Sequence, residues 1–129
     1  MPKRVLDIGN CVPDYMAIRK LIEGNFDATV SQAHLAEDAL ARLRKEPFDL
    51  VLVNRKLDQD YSDGLEVIKQ IKGDAQVAKT PVMLVTNYLE HQQAAVADGA
   101  ELGFGKLEFG APETLERLSR FLGPVRQRR

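Results

Sequence analysis

One unbroken apolar stretch constrains the fold more than any other part of the sequence. Residues 48–54 read Phe-Asp-Leu-Val-Leu-Val-Asn, with Pro47 before them and a polar loop after them. A short run of leucine and β-branched residues bounded in this way is typical of a central strand in a parallel sheet, buried on both faces. Asn54 then lies at the carboxyl end of that strand, where open α/β sheets bind their ligands.

Strands and helices alternate five times along the chain. The predicted strands are Val5–Ile8, Phe26–Val30, Phe48–Asn54, Pro81–Thr86 and Glu101–Lys106. The first predicted helix opens at Pro13 and stops at Gly24. The other four span Ala33–Lys45, Gly64–Lys72, Glu90–Asp98 and Pro112–Leu122. Alternation at this spacing predicts an α/β fold, with a parallel sheet, right-handed crossovers and helices on both faces.

Size and charge exclude several classes of protein. A chain of 129 residues predicts one domain, with a core over about residues 3–122 and a solvated basic tail over 123–129. The 18 basic and 19 acidic residues nearly balance, which argues against nucleic-acid binding.

Cysteine content and hydropathy indicate the compartment. Cys11 is the only cysteine, so no internal disulfide can form and a reducing environment is expected. No apolar run approaches the roughly 18 residues needed to cross a bilayer, and no secretory signal precedes the first strand. We therefore expect a cytoplasmic protein without a membrane partner.

Polar residues follow four of the predicted strands. Asn54, Thr86 and Lys106 end the third, fourth and fifth strands, and Gly9-Asn10-Cys11 follows the first. Because the carboxyl ends of parallel strands meet at one edge of a sheet, we expect these residues to form one site.

With these residues and four sequence blocks, the chain resembles the receiver domain of two-component response regulators from about Lys3 to Leu122. The blocks, in the order and spacing of that family, are residues 48–53, residues 63–68, residues 81–86, and Gly99-Ala100 seven residues before Lys106. The resemblance implies a flavodoxin-like (βα)5 fold with strand order 2-1-3-4-5.

The resemblance also implies a chemistry for the site. In receivers, two acids after the first strand and one after the third bind magnesium, which prefers oxygen ligands. The third-strand aspartate takes a phosphoryl group from a histidine kinase. A hydroxyl at the position of Thr86 and an ammonium at that of Lys106 then contact the phosphoryl oxygens.

This sequence departs from that pattern at the reacting positions. Asn54 stands at the acceptor position, and an amide has no anionic oxygen to attack phosphorus. The acidic pair aligns with Gly9-Asn10 or with Asn10-Cys11, and neither pair contains a carboxylate. We expect no phosphotransfer, no metal and no cofactor at this site.

Two departures affect the switch that receivers use. The residue after Lys106 is Leu107 rather than the usual proline, so we expect a trans peptide and a remodelled loop. Gly103 stands where receivers carry a switching aromatic. Phe104 comes one residue later, which in a strand turns its ring to the opposite face, into the core.

The remaining polar residues receive mostly structural interpretations. We expect Lys106 to donate to the Asn54 amide oxygen, although the loss of three carboxylates also leaves room for an anion without metal. Asp58, Asp60 and Asp63 fail the calcium-loop pattern, and Asp63 is expected to cap the third helix. The expected roles of the rest are a hydrogen-bonded buried acid for Asp7, a small buried filler for Cys11, and solvated side chains for His34 and His91.

These observations predict a phosphorylation-independent receiver that is not an enzyme and that binds signalling proteins. By resemblance, the docking face is the fourth helix, fifth strand and fifth helix, with Leu89, Gly103, Phe104 and Leu115 on it. We expect a monomer or a weak homodimer. The alternative is a phosphoaccepting receiver, in which Asn54 replaces an aspartate or the acceptor moves to Asp58 or Asp7. A larger regulator that contains this chain also stays open.

Overall fold

The structure, a computed structural model, describes residues 2–126 and contains a five-stranded parallel sheet in the order β2-β1-β3-β4-β5. The strands are β1 Lys3–Ile8, β2 Ala28–Ala33, β3 Leu50–Asn54, β4 Val82–Val85 and β5 Glu101–Phe104. The helices are α1 Val12–Asn25, α2 Ala36–Lys45, α3 Gly64–Lys72, α4 Leu89–Ala97 and α5 Pro112–Leu122, with a 3₁₀ turn at Lys106–Glu108. The predicted flavodoxin-like fold and strand order are confirmed.

The sheet divides the apolar core into two layers. Because side chains alternate along a strand, Val51 and Val53 of β3 face the layer formed with α2, α3 and α4, while Leu50 and Leu52 face the layer formed with α1 and α5. All four side chains have no exposed surface. The strand predicted within residues 48–54 is therefore the central strand of the sheet and is buried on both faces, as predicted.

The second strand and second helix begin later than predicted. Ala33 pairs with Ile8 in β2 instead of opening a helix, and its carbonyl accepts the Gly9 N–H at 2.9 Å. The Asp38 carboxylate accepts the N–H groups of His34 and Leu35 at 2.9 and 2.7 Å, so α2 starts only at residue 36. The capping acid, rather than apolar periodicity, sets this boundary.

Arg126, in the predicted solvated tail, is exposed but contacts the body of the domain. Its N–H donates to the carbonyl of Asn25 at 2.6 Å, and its guanidinium lies 3.3 Å from the Asp27 carboxylate. Residues 127–129 of the predicted tail lie outside the described residues.

None of the helices within residues 2–126 combines the length and the apolar character that a membrane span requires.

A bulge in β5 joins four elements at one edge of the sheet. Met83 pairs with Glu101 and Val85 pairs with Phe104, so β5 has one residue more than β4 over this interval. The Gly103 N–H donates to Gln92 Oε1 at 2.9 Å, and its carbonyl accepts from Arg117 Nη1 at 2.7 Å. Side chains of α4 and α5 therefore hydrogen-bond the bulged peptide.

Gln92 also fixes α4 to β4. Its Nε2 donates to the carbonyl of Leu84 at 2.9 Å, and the residue is only 6% exposed. A β-carbon on Gly103 would overlap that same carbonyl oxygen. Glycine is therefore the residue that fits position 103, because no side chain can be added without moving β4.

Candidate functional site

The predicted polar residues do meet at the carboxyl edge of the sheet. Asn54 ends β3, Thr86 follows β4, and Lys106 opens the 3₁₀ turn after β5. The segment Gly9-Asn10-Cys11 connects β1 to α1 at the same edge. Asn54 and Lys106 both line one pocket together with Thr86.

Leu57 fills the space beside Gly9. Gly9 has φ +80°, and a β-carbon there would overlap Leu57 Cδ2 and lie 3.0 Å from Leu57 Cβ and Cγ. Leu57 has no exposed surface, although its loop is otherwise polar. The N–H of Asp58 donates to the Gly9 carbonyl at 2.8 Å, which fixes the two loops together. A side chain at position 9 would require Leu57 or the left-handed backbone of Gly9 to shift.

Sequence reasoning missed Leu57. The available signal was one large apolar residue inside the polar segment from Arg55 to Asp63. Its partner could not be read from the sequence, because the contact depends on the left-handed backbone at Gly9.

Asn10 and Asp7 form a buried pair next to this contact. Asn10 is 2% exposed, and its Nδ2 donates to Asp7 Oδ1 at 2.5 Å. The expectation that Asp7 is a hydrogen-bonded buried acid is confirmed. Within residues 2–126, Asp7 Oδ2 and Asn10 Oδ1 are buried and have no hydrogen-bond partner.

The environment of Asp7 favours its neutral form. Burial raises the pKa of the Asp7 carboxyl to about 7, while the Asn10 hydrogen bond and the charge of Lys106 act in the opposite direction and the charge of Asp14 raises it further. Near neutral pH, a large fraction of Asp7 is therefore protonated. A neutral carboxyl is a weak ligand for a divalent cation.

Lys106 pairs with Asp14 of α1, so the prediction that it donates to Asn54 is wrong. Lys106 Nζ lies 2.6 Å from Asp14 Oδ2, a shorter and stronger contact than a neutral amide offers. This hydrogen bond lowers the pKa of Asp14, and burial opposes the change. Sequence reasoning missed Asp14 as a site residue, because the two residues lie 92 positions apart.

Cys11 is half-buried rather than a buried filler. It is the N-cap residue of α1, and its Sγ lies 3.2 Å from the same Asp14 oxygen that Lys106 contacts. The Cys11 thiol therefore serves as a donor to a carboxylate that is already paired with a lysine.

Asn54 turns its amide toward its own loop. Its Nδ2 donates to the carbonyl of Lys56 at 2.7 Å. Because an amide N–H₂ donates where a carboxylate cannot, this bond is specific to asparagine at the end of β3.

Thr86 and His91 form a second pair, at the start of α4. Thr86 Oγ1 accepts the N–H of Tyr88 at 3.3 Å and is also hydrogen-bonded to His91 Nδ1 at 3.3 Å, in a direction set by the His91 tautomer. The His91 ring stacks edge-on against Tyr88, with 5.4 Å between centroids. The prediction of a solvated His91 is therefore wrong, whereas His34 is exposed as predicted.

The loop after Lys106 has the predicted trans peptides, since residues 2–126 contain no cis bond. Leu107 is 87% exposed and its N–H donates to Asn87 Oδ1 at 3.1 Å. Phe104 has no exposed surface and packs in the layer under α1 and α5. The prediction that its ring turns into the core is confirmed.

The acids of the β3–α3 loop do not gather into a metal site. Asp63 accepts the N–H of Leu65 at 2.9 Å, which confirms the predicted cap of α3, and also pairs with Arg55 at 2.9 Å. Asp58 and Asp60 are exposed. In the part of the chain that the structure describes, no three acids, histidines or cysteines are grouped so that they could hold a metal ion.

The raised pKa of Asp7 gives a testable pH dependence. In the unfolded chain the carboxyl ionises near pH 3.8, but in the folded state only near pH 7. Between these values the folded state binds more protons, so this group makes the free energy of unfolding fall as pH rises. Asp7→Asn should therefore change stability little at pH 4 and stabilise by up to about 4 kcal/mol at pH 8.

Urea denaturation across this pH range measures the effect. Asp58→Asn, at an exposed aspartate in the adjacent loop, is the matched control and should leave the shape of the pH profile unchanged. Equal stabilisation by Asp7→Asn at pH 4 and pH 8 would show that Asp7 is not a buried, neutral acid.

Comparisons with solved structures agree with the fold. Among solved structures, chemotaxis response regulator CheY4 of Vibrio cholerae is 23% identical, with a TM-score of 0.74 over 95% of this chain and 100% of that chain. The receiver domain of the Francisella response regulator 1452 is 19% identical, with a TM-score of 0.75 over 95% and 97%. The Mn²⁺-bound form of response regulator Rcp1 is 19% identical, with a TM-score of 0.72 over 99% and 100%.

The family comparison covers most of the chain. A search of curated proteins finds no matching relative. The response regulator receiver domain family matches residues 14–105, which leaves Gly9, Asn10 and Lys106 just outside the matched range. From this match, the chain belongs to the response regulator receiver domain family.

Proposed function

We propose that this receiver domain works without phosphorylation, as a protein-interaction module in two-component signalling. The observation that carries the proposal is the contact of Leu57 with Gly9, because a side chain added at position 9, one of the positions that align with the acidic pair of receivers, would meet this apolar side chain. In this proposal the degenerate phosphoacceptor site comprises residues 9–11, Asn54, Thr86 and Lys106.

Loss of the metal follows from the charges around this contact. Mg²⁺ needs several oxygen ligands in near-octahedral geometry, usually including carboxylates. Gly9 has no side chain, and the Asn10 side chain is buried and hydrogen-bonded to Asp7. Without a cation to neutralise the incoming phosphate, the reaction would lack its main electrostatic stabilisation.

Loss of the nucleophile is independent of the metal. The Asn54 amide nitrogen is engaged with the Lys56 carbonyl, and its oxygen carries no formal charge. The alternative acceptors are poorly suited for different reasons. Asp7 has no exposed surface, and Asp58 is exposed without a grouped set of acids around it among the described residues.

The internal contacts also favour one constitutive conformation. The Thr86 hydroxyl is already bonded to Tyr88 and His91, and Gly103 has no aromatic ring to move. The Gln92 amide instead links α4 to the Leu84 carbonyl and to the Gly103 N–H. Moving α4 would leave these buried groups unsatisfied, which costs about 1–3 kcal/mol for each group.

The proposed docking surface is the α4–β5–α5 face, formed by residues 89–98, 101–104 and 112–122. Leu89 is 66% exposed and is its most accessible apolar anchor among the residues expected there. Gly103 and Phe104 are buried and support this face from beneath. Leu115 is half-buried and lines a groove with Leu21 and Phe109, on the α1 side of α5.

The wider proposal is a non-enzymatic module without cofactor, nucleic-acid or membrane partners, located in the cytoplasm. It acts as a monomer or a weak homodimer, as a single domain whose core covers residues 3–122. An interaction module of this kind needs only a stable surface, and the Gln92 and Arg117 bonds to Gly103 support one. The second candidate function is a phosphoaccepting receiver in which Asn54 stands in place of the acceptor aspartate.

Restoring the acceptor separates these two functions. With acetyl phosphate and Mg²⁺, neither the natural sequence nor Asn54→Asp should gain a phosphoryl group in intact mass spectrometry. The physical reason is that Asn54→Asp adds a nucleophile but leaves Leu57 against Gly9, so the divalent cation still lacks its ligands.

Asn87→Asp provides the matched control, because Asn87 is exposed at the same pocket. A phosphoryl group on Asn54→Asp but not on Asn87→Asp would establish the second candidate function. Phosphorylation of the unaltered chain would show a relocated acceptor, and peptide mapping would identify it.

The docking surface can be tested by charge substitution. Leu89→Lys should reduce capture of the protein's signalling partners from native lysate by at least tenfold, because a buried interface leucine contributes about 1.5–3 kcal/mol. Leu107→Lys replaces an even more exposed leucine in the β5–α5 loop, and should capture the same partners as the unaltered chain. Loss of capture with Leu107→Lys alone would place the docking surface elsewhere.

A further inference from the structure

The strand β2 forms one outer edge of the sheet, because β1 is its only neighbour in the strand order. An outer strand presents a row of backbone N–H and C=O groups with which a strand of another molecule can pair. At six residues, Ala28–Ala33, β2 has the usual length of a strand that pairs in a sheet. Its edge is therefore long enough to take up a further strand.

The register with β1 shows which peptide groups of β2 face outward. The carbonyls of Asp27 and Ala33 accept N–H groups from the first residue of β1 and from the residue that follows β1, both at 2.9 Å. Because successive residues of a strand direct their peptide groups to opposite sides, the even-numbered residues direct theirs away from β1. These outward residues are Ala28, Val30 and Gln32.

Side chains of α1 occupy both outward groups of Val30, the middle residue of the three. Glu23 Oε2 accepts the Val30 N–H at 2.9 Å, and the Tyr15 hydroxyl donates to the Val30 carbonyl at 3.2 Å. The other carboxylate oxygen of Glu23 pairs with Arg19 Nε at 3.2 Å, which orients the carboxylate. A hydrogen bond to a carboxylate is stronger than one between neutral groups, so the N–H contact is the stronger of the two.

The next outward residue, Gln32, is covered from the other face of the sheet. Its carbonyl lies 3.5 Å from Arg42 Nη1 of α2, and its own side chain donates to the Asn10 carbonyl at 2.9 Å. The Arg42 contact is long for a hydrogen bond, so it contributes less than the two bonds to Val30. Both helices that flank β2 nevertheless direct a side chain to its edge.

These bonds use the groups that a second copy of the chain would need. Two copies of β2 can pair in antiparallel fashion about a two-fold axis, with Val30 opposite Val30 and Ala28 opposite Gln32. In this register the two Val30 residues exchange both of their N–H and C=O groups, as every hydrogen-bonded pair of an antiparallel ladder does. Glu23 and Tyr15 already hold those groups, so the central pair of the ladder cannot form.

We propose that Tyr15 and Glu23 close the β2 edge against pairing with a second copy of this chain. The inference goes beyond the proposed function and does not depend on the state of the phosphoacceptor site. A module that presents helical surfaces to its partners is kept from assembling through its sheet.

Removing both bonds tests the proposal in the full chain. Tyr15→Phe combined with Glu23→Ala frees both outward groups of Val30, and phenylalanine keeps the packing of the ring against the core. In sedimentation velocity over a concentration series, the association constant for dimer formation should rise at least about tenfold, because two hydrogen bonds across the axis become available. In a sample that mixes labelled and unlabelled chains, NMR should show intermolecular contacts between the α-protons of Thr29 and Ser31, which face each other in this register.

Two variants serve as controls. Arg19→Ala breaks the Arg19–Glu23 ion pair but leaves both bonds to Val30, so its association constant should equal that of the unaltered chain. Tyr15→Phe combined with Glu23→Gln keeps an acceptor oxygen, and should associate less than the combination with Glu23→Ala.

A measurement on the monomer makes the test independent of the double variant's stability. In dilute Glu23→Ala, hydrogen exchange of the Val30 amide should be about tenfold faster than in the unaltered chain, because its N–H loses its acceptor. Unchanged exchange of Val30 would overturn the proposal. So would a folded double variant that associates no more than Arg19→Ala, or a dimer without the Thr29–Ser31 contacts. Each of these results would leave the proposed function untouched.

Discussion

The packing of Leu57 beside Gly9 is the contact on which the proposed loss of metal binding depends. It requires a glycine with φ +80°, a fully buried leucine in a polar loop, and the Asp58 to Gly9 backbone hydrogen bond that holds the two loops together. In our proposal, this contact leaves no room for a carboxylate side chain at position 9. The β1–α1 and β3–α3 loops meet through this leucine and through the Asp58 to Gly9 hydrogen bond.

The remaining charges rearrange around that contact. One acid stays buried as Asp7, where desolvation raises its pKa to about 7 and Asn10 donates to it. Lys106 pairs with Asp14 rather than with Asn54 at the end of β3. The pocket at the carboxyl ends of the strands is therefore lined by a neutral Asn54 and by cationic side chains. On the far side of α4, Gln92 and Arg117 bond the Gly103 peptide. The site lies at the carboxyl ends of the strands and the α4–β5–α5 face lies along the outer strand. Gln92 connects the two, because it hydrogen-bonds both the Thr86 carbonyl and the Gly103 N–H.

The sequence predicted what depends on periodicity and local chemistry. The bounds of Gly64–Lys72 and Pro112–Leu122 are as predicted, since Asp63 caps the first and Pro112 opens the second. Phe104 could be assigned to the core because neighbouring strand residues face opposite sides. Asn54 at the end of β3 followed from one apolar run.

Other features depend on contacts between distant segments, and no local pattern encodes them. Lys106 and Asp14 meet only because the fold brings the turn after β5 close to the first turn of α1. The charged Asp14 then competes successfully with the Asn54 amide for the lysine. The start of α2 was misplaced because Asp38 caps it with its side chain. Gln92 in α4 carried no visible signal, since its function depends on a bulge in a strand eleven residues later.

Titration of isotope-labelled protein with Mn²⁺ tests the central claim most directly, because a bound paramagnetic ion broadens the signals of nearby amides. The account predicts no saturable broadening of Gly9, Asn10 or Asn54 at millimolar Mn²⁺, because none of residues 9–11 and 54 carries a carboxylate. Saturable broadening centred on these three residues, reversed by excess Mg²⁺, would contradict it.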